Sequence, residues 1–372
     1  MIGIGAFVVI GVLSPLADSF EITADVAGQV MTTYALAYAL LSPLLVSLTG
    51  RLGRRRVMAF GLALFVLAAL LTAVAPNFFW LNVARVISAA GAGLFTPVAA
   101  AVVAALSPPE QRAKTLAAVF FGLTLAQVLG VPVGSYLAYT FGWQWAFALV
   151  VVIGLPCVWL IWVSVPAGLR FQPVSLSDLG RVLATPHLMA AVLFTAAFLS
   201  AIYVVYTYMG PLLEEQMAFT PGQITLALLV LGIGAVLGNL LGGFMADKLG
   251  PQRTLYILAT SQMVLLCAYS ALPMPVIAVY LLIFFQNLMG WSFVAAQQAR
   301  LVTLDAAAAP VLLALNAAAI YVGAAVGSAI GGFSIASMGI SANGVVAGLC
   351  ASTAILTLVI ARRLASRHQA KV

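Results

Sequence analysis

Charged side chains are rare in this sequence, so a charge inside an apolar run is a candidate for chemistry. Arg85, in LNVARVISAAGAG, is the one charged residue well inside such a run. If the run crosses a membrane, the arginine costs roughly 2.5 to 3.5 kcal/mol on insertion scales, which favours a wet cavity or a polar partner beside it. A guanidinium keeps its proton near neutral pH, so proton movement would need a second group that titrates.

Uncharged polar side chains inside the apolar runs are a second set of candidates, because they offer hydrogen bonds to a solute. The set is Tyr34, Tyr38, Gln127, Tyr203, Tyr206, Asn239, Gln286, Asn287, Asn316 and Tyr321. With Arg85, these residues predict a cavity for a small neutral or amphipathic solute. The alternative for each of them is a hydrogen bond that joins two helices.

Enzymatic chemistry has little support in the sequence. Cys157, Cys267 and Cys350 are single residues in apolar runs, and His187 and His368 lie at or outside the ends of such runs. This spacing is not that of a metal site, and no glycine-rich phosphate loop followed by Lys-Ser or Lys-Thr occurs. The sequence therefore predicts no catalytic residue, no metal and no cofactor.

The composition predicts that these candidates are carried by membrane-spanning helices. Of 372 residues, 64% are hydrophobic and 7% are charged, where a soluble domain has about 25% charged residues. The apolar runs are continuous and about 20 residues long, which favours helices over barrel strands. Twelve spans are predicted, at 1–17, 28–49, 57–75, 79–105, 114–138, 143–165, 187–210, 222–245, 254–272, 275–298, 309–337 and 341–361.

An internal repeat divides the chain into two halves. A shift of 197 positions aligns Gly53 with Gly250, Arg56 with Arg253, and other pairs in equivalent spans. The sequence therefore predicts an all-α membrane protein of two pseudo-symmetric six-helix bundles, at 1–165 and 187–372, joined by a cytoplasmic linker at 166–186. The second half ends in a short basic tail. Under the same shift, the position in the first half that is equivalent to the start of span seven would fall before Met1. We therefore expect the first helix to be truncated.

Basic residues are distributed asymmetrically between the loops. Fifteen of the 16 lysines and arginines fall in even-numbered loops or the C-terminal tail, whereas the odd-numbered loops hold five of the nine acids and no basic residue. Basic loops stay in the cytoplasm, so both termini are predicted to be cytoplasmic. The net charge of +7 therefore reflects the basic residues that keep these loops in the cytoplasm. No basic patch is left for nucleic acid, so no nucleic-acid partner is predicted.

Several motifs resemble those of the major facilitator superfamily. VSLTGRLGRRR carries Arg51, Gly53, Arg54 and Arg55 of the family's loop motif, with Val46 and Gly50 at the motif's Gly and Asp positions; the second copy, GFMADKLGPQR, keeps Gly243, Asp247, Lys248, Gly250 and Arg253. GVPVGSYLA and LNAAAIYVGAAVGSAIGG also match. Over essentially its whole length, the chain resembles drug:proton antiporters with twelve spans, in the arabinose-efflux-like permease group.

The resemblance implies a monomeric proton-coupled exporter of the bacterial inner membrane that works by alternating access. Its substrate class is a sugar, a nucleoside or a drug; a passive facilitator and an importer remain the alternatives. The loop motif implies a cytoplasmic gate lock, which we expect mainly in the second copy because Gly50 removes the acid of the first. The alternative is that these arginines serve only to keep the loop in the cytoplasm.

The resemblance also links Arg85, at the family's span-four arginine, to proton movement. The family's span-one acid has no counterpart, because Ala6 occupies its place. We therefore expect Arg85 to order the outer half of the cavity and Asp18 to be the proton site. The alternative is that Asp18 is a solvated loop residue.

Glycines recur every four residues in three spans and predict close helix packing. They are Gly130 and Gly134, with Pro132 between them, then Gly234, Gly238 and Gly242, and Gly323, Gly327 and Gly331. The resemblance implies that spans five and eight, and spans two and eleven, meet at the junction of the halves. Packing inside a bundle is the alternative.

Overall fold

The computed structural model describes residues 1–108, 112–169, 176–305 and 308–369. The described residues are helical almost throughout. The α-helices are α1 (Ile2–Ser19), α2 (Ala24–Leu48), α3 (Arg54–Ala73), α4 (Phe78–Leu106), α5 (Arg112–Phe141), α6 (Trp143–Ser164), α7 (Leu176–Leu183), α8 (Pro186–Tyr206), α9 (Met209–Met217), α10 (Pro221–Leu249), α11 (Pro251–Cys267), α12 (Val276–Trp291), α13 (Phe293–Leu304), α14 (Ala309–Met338) and α15 (Asn343–Gln369). The predicted all-α membrane fold class is confirmed.

Helix starts follow the local chemistry of the sequence. Asn77 precedes α4, and its side chain accepts a hydrogen bond from Trp80 N at 3.1 Å. Pro186 and Pro251 open α8 and α11, where the missing N–H needs no partner. Inside a bilayer, such helices satisfy their own backbone groups.

Eleven helical segments of the described chain are long and apolar enough to cross a membrane. They match eleven of the twelve predicted spans. The remaining span, 114–138, falls on α5, whose described side chains yield only a shorter apolar segment, Val128–Phe141. A total of twelve spans stays a prediction.

Large apolar side chains are exposed on many of these helices. Leu40 is 60% exposed, Trp159 64% and Phe333 74%. Many further large apolar side chains of the described helices are exposed in the same way. These faces therefore suit contact with lipid.

The backbone groups into two compact units, Met1–Pro173 with Pro221–Leu229, and Val174–Thr220 with Val230–Val372. In the first unit, α3 packs on α4 and α6, and α2 packs on α4. In the second unit, α8 packs on α14 and α15. The predicted linker at 166–186 contains α7, and its role as the boundary of the halves stays a prediction.

Each row of glycines at four-residue spacing, here called a glycine stripe, lies against another helix of the same unit. A Cβ at Gly130 or Gly134 of α5 would meet Ile4 or Val8 of α1. On α10, a Cβ at Gly234 would lie 2.7 Å from Phe284 O of α12. Both helix pairs can approach closely because glycine adds no side chain.

The third stripe makes the same kind of contact. A Cβ at Gly323 would lie 2.6 Å from Ala196 O, and one at Gly331 would lie 2.6 Å from Val204 O, both on α8. These contacts support the alternative of packing inside each bundle. A second role of these glycines between the halves stays a prediction.

The tenth span differs from its prediction. It is interrupted at Ser292, whose Oγ lies 2.8 Å from Gly238 O and 2.7 Å from Leu288 O, and it continues as α13 to Leu304. The prediction that Arg300 lies in a loop is wrong, because α13 extends past 298 and buries this residue to 7% exposure. Asp18, also expected after its span, belongs to the last turn of α1.

Candidate functional site

Arg85 of α4 is a buried charge of the first unit, with 1% exposure. Its Nη1 donates to Gly5 O at 2.7 Å and its Nη2 donates to Ala6 O at 2.9 Å, both on α1. The two parallel donors of a planar guanidinium suit two adjacent carbonyls. Arg85 thus joins α4 to α1.

Aromatic rings complete the surroundings of Arg85. Its Cζ lies 4.3 Å from the ring centre of Tyr34 and 6.0 Å from that of Phe147, which is within cation–π range. Tyr34 and Tyr38 are both buried, with ring centres 6.4 Å apart. The structure therefore brings three sequence-predicted residues, Tyr34, Tyr38 and Arg85, into one group.

Asp18 lies apart from this group. It is exposed, and twelve residues of α1 separate it from Ala6, or about 18 Å at the rise of an α-helix. Within the ranges that the structure describes, no carboxylate forms an ion pair with Arg85. The role of Asp18 as proton site stays a prediction, and the side chain of Gln127 lies outside the described residues.

Amide side chains form a buried cluster in the second unit. Gln286 Nε2 donates to Gln262 Oε1 at 3.0 Å, and Gln262 Nε2 donates back to Gln286 O at 2.7 Å. Asn287 Nδ2 donates to Gln286 Oε1 at 2.8 Å. Asn287 Oδ1 is buried without a partner among the described residues, so this cluster retains an acceptor that a donor could use.

A second buried polar cluster joins α8, α13 and α14. Thr195 Oγ1 donates to Asn316 Oδ1 at 2.5 Å, and Gln297 Nε2 lies 3.4 Å from the same oxygen. Gln297 Nε2 also donates to Ala191 O at 2.7 Å. Asn316 is therefore engaged in helix contacts, which was the structural alternative for this residue.

The other predicted cavity residues are dispersed over the second unit. Tyr203 and Tyr206 are buried on α8, with ring centres 5.3 Å apart. Tyr321 of α14 is 9% exposed, and Asn239 of α10 is half-buried. Their assignment to a solute cavity stays a prediction.

The first loop motif makes contacts with its own unit. Arg54 is 4% exposed, its Nη2 lies 3.3 Å from Gly50 O, and its backbone N donates to Leu169 O at 3.0 Å. Arg55 stacks on Trp162, with Cζ 4.7 Å from the ring centre, and its Nη1 lies 3.5 Å from Trp162 O near the end of α6. Both arginines thereby contact carbonyls close to the C-terminal ends of helices, where a positive charge is favourable.

The second copy is more exposed. Asp247, Lys248 and Arg253 are all exposed, and Lys248 Nζ lies 5.3 Å from the ring centre of Phe244. Gly243 and Gly250 have open space where a Cβ would be. The expectation that this copy carries the main gate lock stays a prediction, tested by whether Asp247→Asn impairs transport more than Arg51→Ala.

We expect Arg54→Ala to destabilise the protein more than Arg51→Ala. The buried Arg54 would lose a charged hydrogen bond, worth about 1.5 to 3 kcal/mol, whereas Arg51 is exposed and a change there is usually worth within about 0.5 kcal/mol. Thermal unfolding of the two purified variants measures the difference. Equal unfolding temperatures would contradict the assigned contacts of Arg54.

Sequence reasoning missed Gln262, Gln297, Thr195 and the burial of Arg300. A signal was present for three of them, since Gln262, Gln297 and Thr195 are polar residues inside predicted spans. Their pairing with residues of other helices depends on how each helix is rotated. The pattern of spans does not contain that information.

Comparison with known proteins gives a consistent result. The sequence profile described as Major Facilitator Superfamily matches residues 1–328. The chain is 29% identical over 364 residues to "Inner membrane transport protein YdhP" of Escherichia coli (strain K12), covering 97% of this chain and 93% of the relative. It is 27% identical over 354 residues to a "Probable sugar efflux transporter" of Helicobacter pylori (strain G27), covering 95% and 90%.

A solved structure has the same fold. The crystal structure of a D-xylose-proton symporter aligns with a TM-score of 0.75 and 17% sequence identity, over 96% of this chain and 94% of that one. This likeness agrees with the fold class predicted from the sequence.

Proposed function

Since the chain belongs to the major facilitator superfamily of membrane transporters, we propose that it is a proton-coupled exporter of a small neutral or amphipathic solute. Transport proceeds by alternating access between the two halves. The chain is a multi-pass membrane protein that acts on a small molecule; the direction, the coupling and the solute are the proposal.

The choice of a neutral solute rests on the two buried amide clusters of the second unit, which hold no charged side chain among the described residues. Gln262, Gln286 and Asn287 are all amides, and Asn287 Oδ1 keeps a buried acceptor. Sites that hydrogen-bond a hydroxyl or an amine discriminate strongly against analogues that lack it. A sugar or a nucleoside offers such donors, and the name of the Helicobacter pylori relative supports sugar efflux.

Arg85 supports proton coupling, because it is a buried permanent charge tied to the backbone of α1. A passive facilitator is the second candidate. It is favoured by the exposure of Asp18 and by its separation along α1 from Ala6, whose carbonyl accepts a hydrogen bond from Arg85. We further propose a monomer in the bacterial inner membrane, with lipid, solute and protons as its partners.

Thermal-shift screening tests the solute class. The purified protein is screened against sugars, nucleosides and antibiotics, and any hit is tested by counterflow in liposomes. A ligand at a hundred times its Kd stabilises the folded state by about 2.7 kcal/mol, so a sugar or nucleoside should raise the unfolding temperature. A hit restricted to anionic solutes would contradict the neutral class.

The distribution of basic residues predicts the orientation. Reporter fusions after Arg56 and Arg181 should report the cytoplasm, and a fusion after Pro76 should report the periplasm, because basic loops are retained inside. A periplasmic signal after Arg181 would contradict the arrangement of two six-helix halves.

A further inference from the structure

The chain that leaves α6 turns back onto the loop between α2 and α3. α6 ends at Ser164, and Gly168, four residues later, has a φ of 86°. This left-handed conformation favours glycine, which has no Cβ to clash with the backbone. Directly after the turn, the backbone carbonyl of Leu169 accepts a hydrogen bond from Arg54 N at 3.0 Å. The end of the sixth span is thereby joined to the start of the third.

Side chains hold the same segment in place. Arg55 lies over the ring of Trp162 near the end of α6, with Cζ 4.7 Å from the ring centre. Leu169 is partly buried and packs against a buried apolar cluster of α3 and α4. The cluster consists of Val57, Met58, Leu94, Val98, Ala99 and Val102. Three separate contacts thus hold the residues that follow α6 against the first copy of the loop motif.

The donor in the backbone contact follows from the way α3 begins. Gly53 precedes the helix, and its carbonyl accepts the hydrogen bond from Val57 N at 3.2 Å. The N–H groups of the first turn have no partner inside a helix. The N–H of Arg54 is therefore available for a carbonyl outside α3, and any residue except proline could supply it.

The second copy of the loop motif cannot make the equivalent contact. The shift of 197 positions aligns Arg54 with Pro251, the first residue of α11. This helix begins in the same way as α3, since Thr254 N donates to Gly250 O at 3.2 Å. Proline has no backbone N–H to donate. The two copies therefore share the helix start and differ in the donor.

We propose that the first copy of the loop motif anchors the start of the predicted linker at 166–186, with the N–H of Arg54 as the fixing point. This copy has Gly50 where the motif has its acid, and its contacts reach the end of α6 instead. The anchor fixes the point at which the chain leaves the first unit toward α7. The proposal is independent of the solute, of the direction of transport and of proton coupling.

Comparison of Arg54→Pro with Arg54→Ala isolates the backbone contact. Both variants lose the guanidinium, but only the proline variant loses the N–H. Proline is favoured at the first position of a helix. Gly53, with φ −61° and ψ 129°, has the extended backbone that a residue before proline requires. We therefore expect α3 to form in both variants.

A nitroxide label beside the contact measures whether the segment is held. It is attached at Ala167→Cys, an exposed position, in a background that carries Cys157→Ala, Cys267→Ala and Cys350→Ala. The mobile fraction of the electron paramagnetic resonance spectrum should be roughly two- to tenfold larger in Arg54→Pro than in Arg54→Ala, the effect of losing one backbone hydrogen bond. Circular dichroism confirms that each labelled variant is folded.

Gly168→Ala tests the anchor from the other side of the contact. A Cβ at Gly168 meets nothing within 4 Å, so this change acts through the left-handed backbone, which alanine disfavours. It should enlarge the mobile fraction while leaving α3 unaltered. Equal mobile fractions in Arg54→Pro and Arg54→Ala would overturn the proposal, as would an unchanged spectrum in Gly168→Ala.

Discussion

Arg85→Gln is expected to lower transport of the identified solute by at least roughly tenfold. The variant loses both donors to Gly5 O and Ala6 O, so α1 is no longer tied to α4. Hydrogen bonds from a charged group are worth about 1.5 to 3 kcal/mol each. Relief of the insertion cost of an arginine, roughly 2.5 to 3.5 kcal/mol, offsets part of that loss, so stability should fall less than transport.

Arg85→Lys separates the role of the charge from that of the geometry. A lysine keeps the charge but cannot reach two carbonyls with a planar fork, so its transport should lie between wild type and Arg85→Gln. Asn82→Ala is the matched control on α4, since among the described residues its amide donates to Phe78 O of the same helix at 2.9 Å. Counterflow in liposomes measures all four proteins. A wild-type transport rate in Arg85→Gln would contradict a functional role of the hydrogen bonds from Arg85 to α1.

Gly242→Val is expected to destabilise the protein by about 3 kcal/mol or more. A Cβ at Gly242 would lie 2.7 Å from the carbonyl carbon and 2.8 Å from Cα of Ser292. These are backbone atoms of the residue between α12 and α13, so α10 and that junction would have to separate. Overpacking typically costs about 1 to 3 kcal/mol, and more where the neighbour cannot yield.

The adjacent Gly243→Val is the control for that substitution. A Cβ there meets nothing within 4 Å, and valine has a higher helix propensity than glycine, so stability should change by no more than about 0.5 kcal/mol. Thermal unfolding in detergent compares the two variants. Equal destabilisation would contradict the contact between Gly242 of α10 and Ser292.

The helical architecture could be predicted from the sequence because its physical cause is local. A continuous apolar run in a bilayer has to form a helix, and eleven of the predicted spans recur as long apolar helices. The residue at which a span ends is harder to predict than the span itself. Arg300 reads as a loop residue from its charge, whereas α13 keeps it inside a helix and buries it.

The candidate site could be predicted only in part. Arg85 and Tyr34 stand out because they are polar in apolar spans, and they do meet. The acceptors of Arg85 are the backbone carbonyls of Gly5 and Ala6, which carry no sequence signal. The glycine stripes likewise mark a helix face by their spacing, but the spacing does not say which helix lies against it.

Transport driven by an imposed pH gradient tests the central claim most directly. Wild-type protein is reconstituted in liposomes with the identified solute, a pH gradient is imposed, and solute accumulation is followed with and without a protonophore. Proton-coupled export predicts uphill accumulation that the protonophore abolishes, and Asp18→Asn should reduce it if Asp18 carries the proton. Wild-type flux that ignores the gradient would contradict the exporter and leave a passive facilitator.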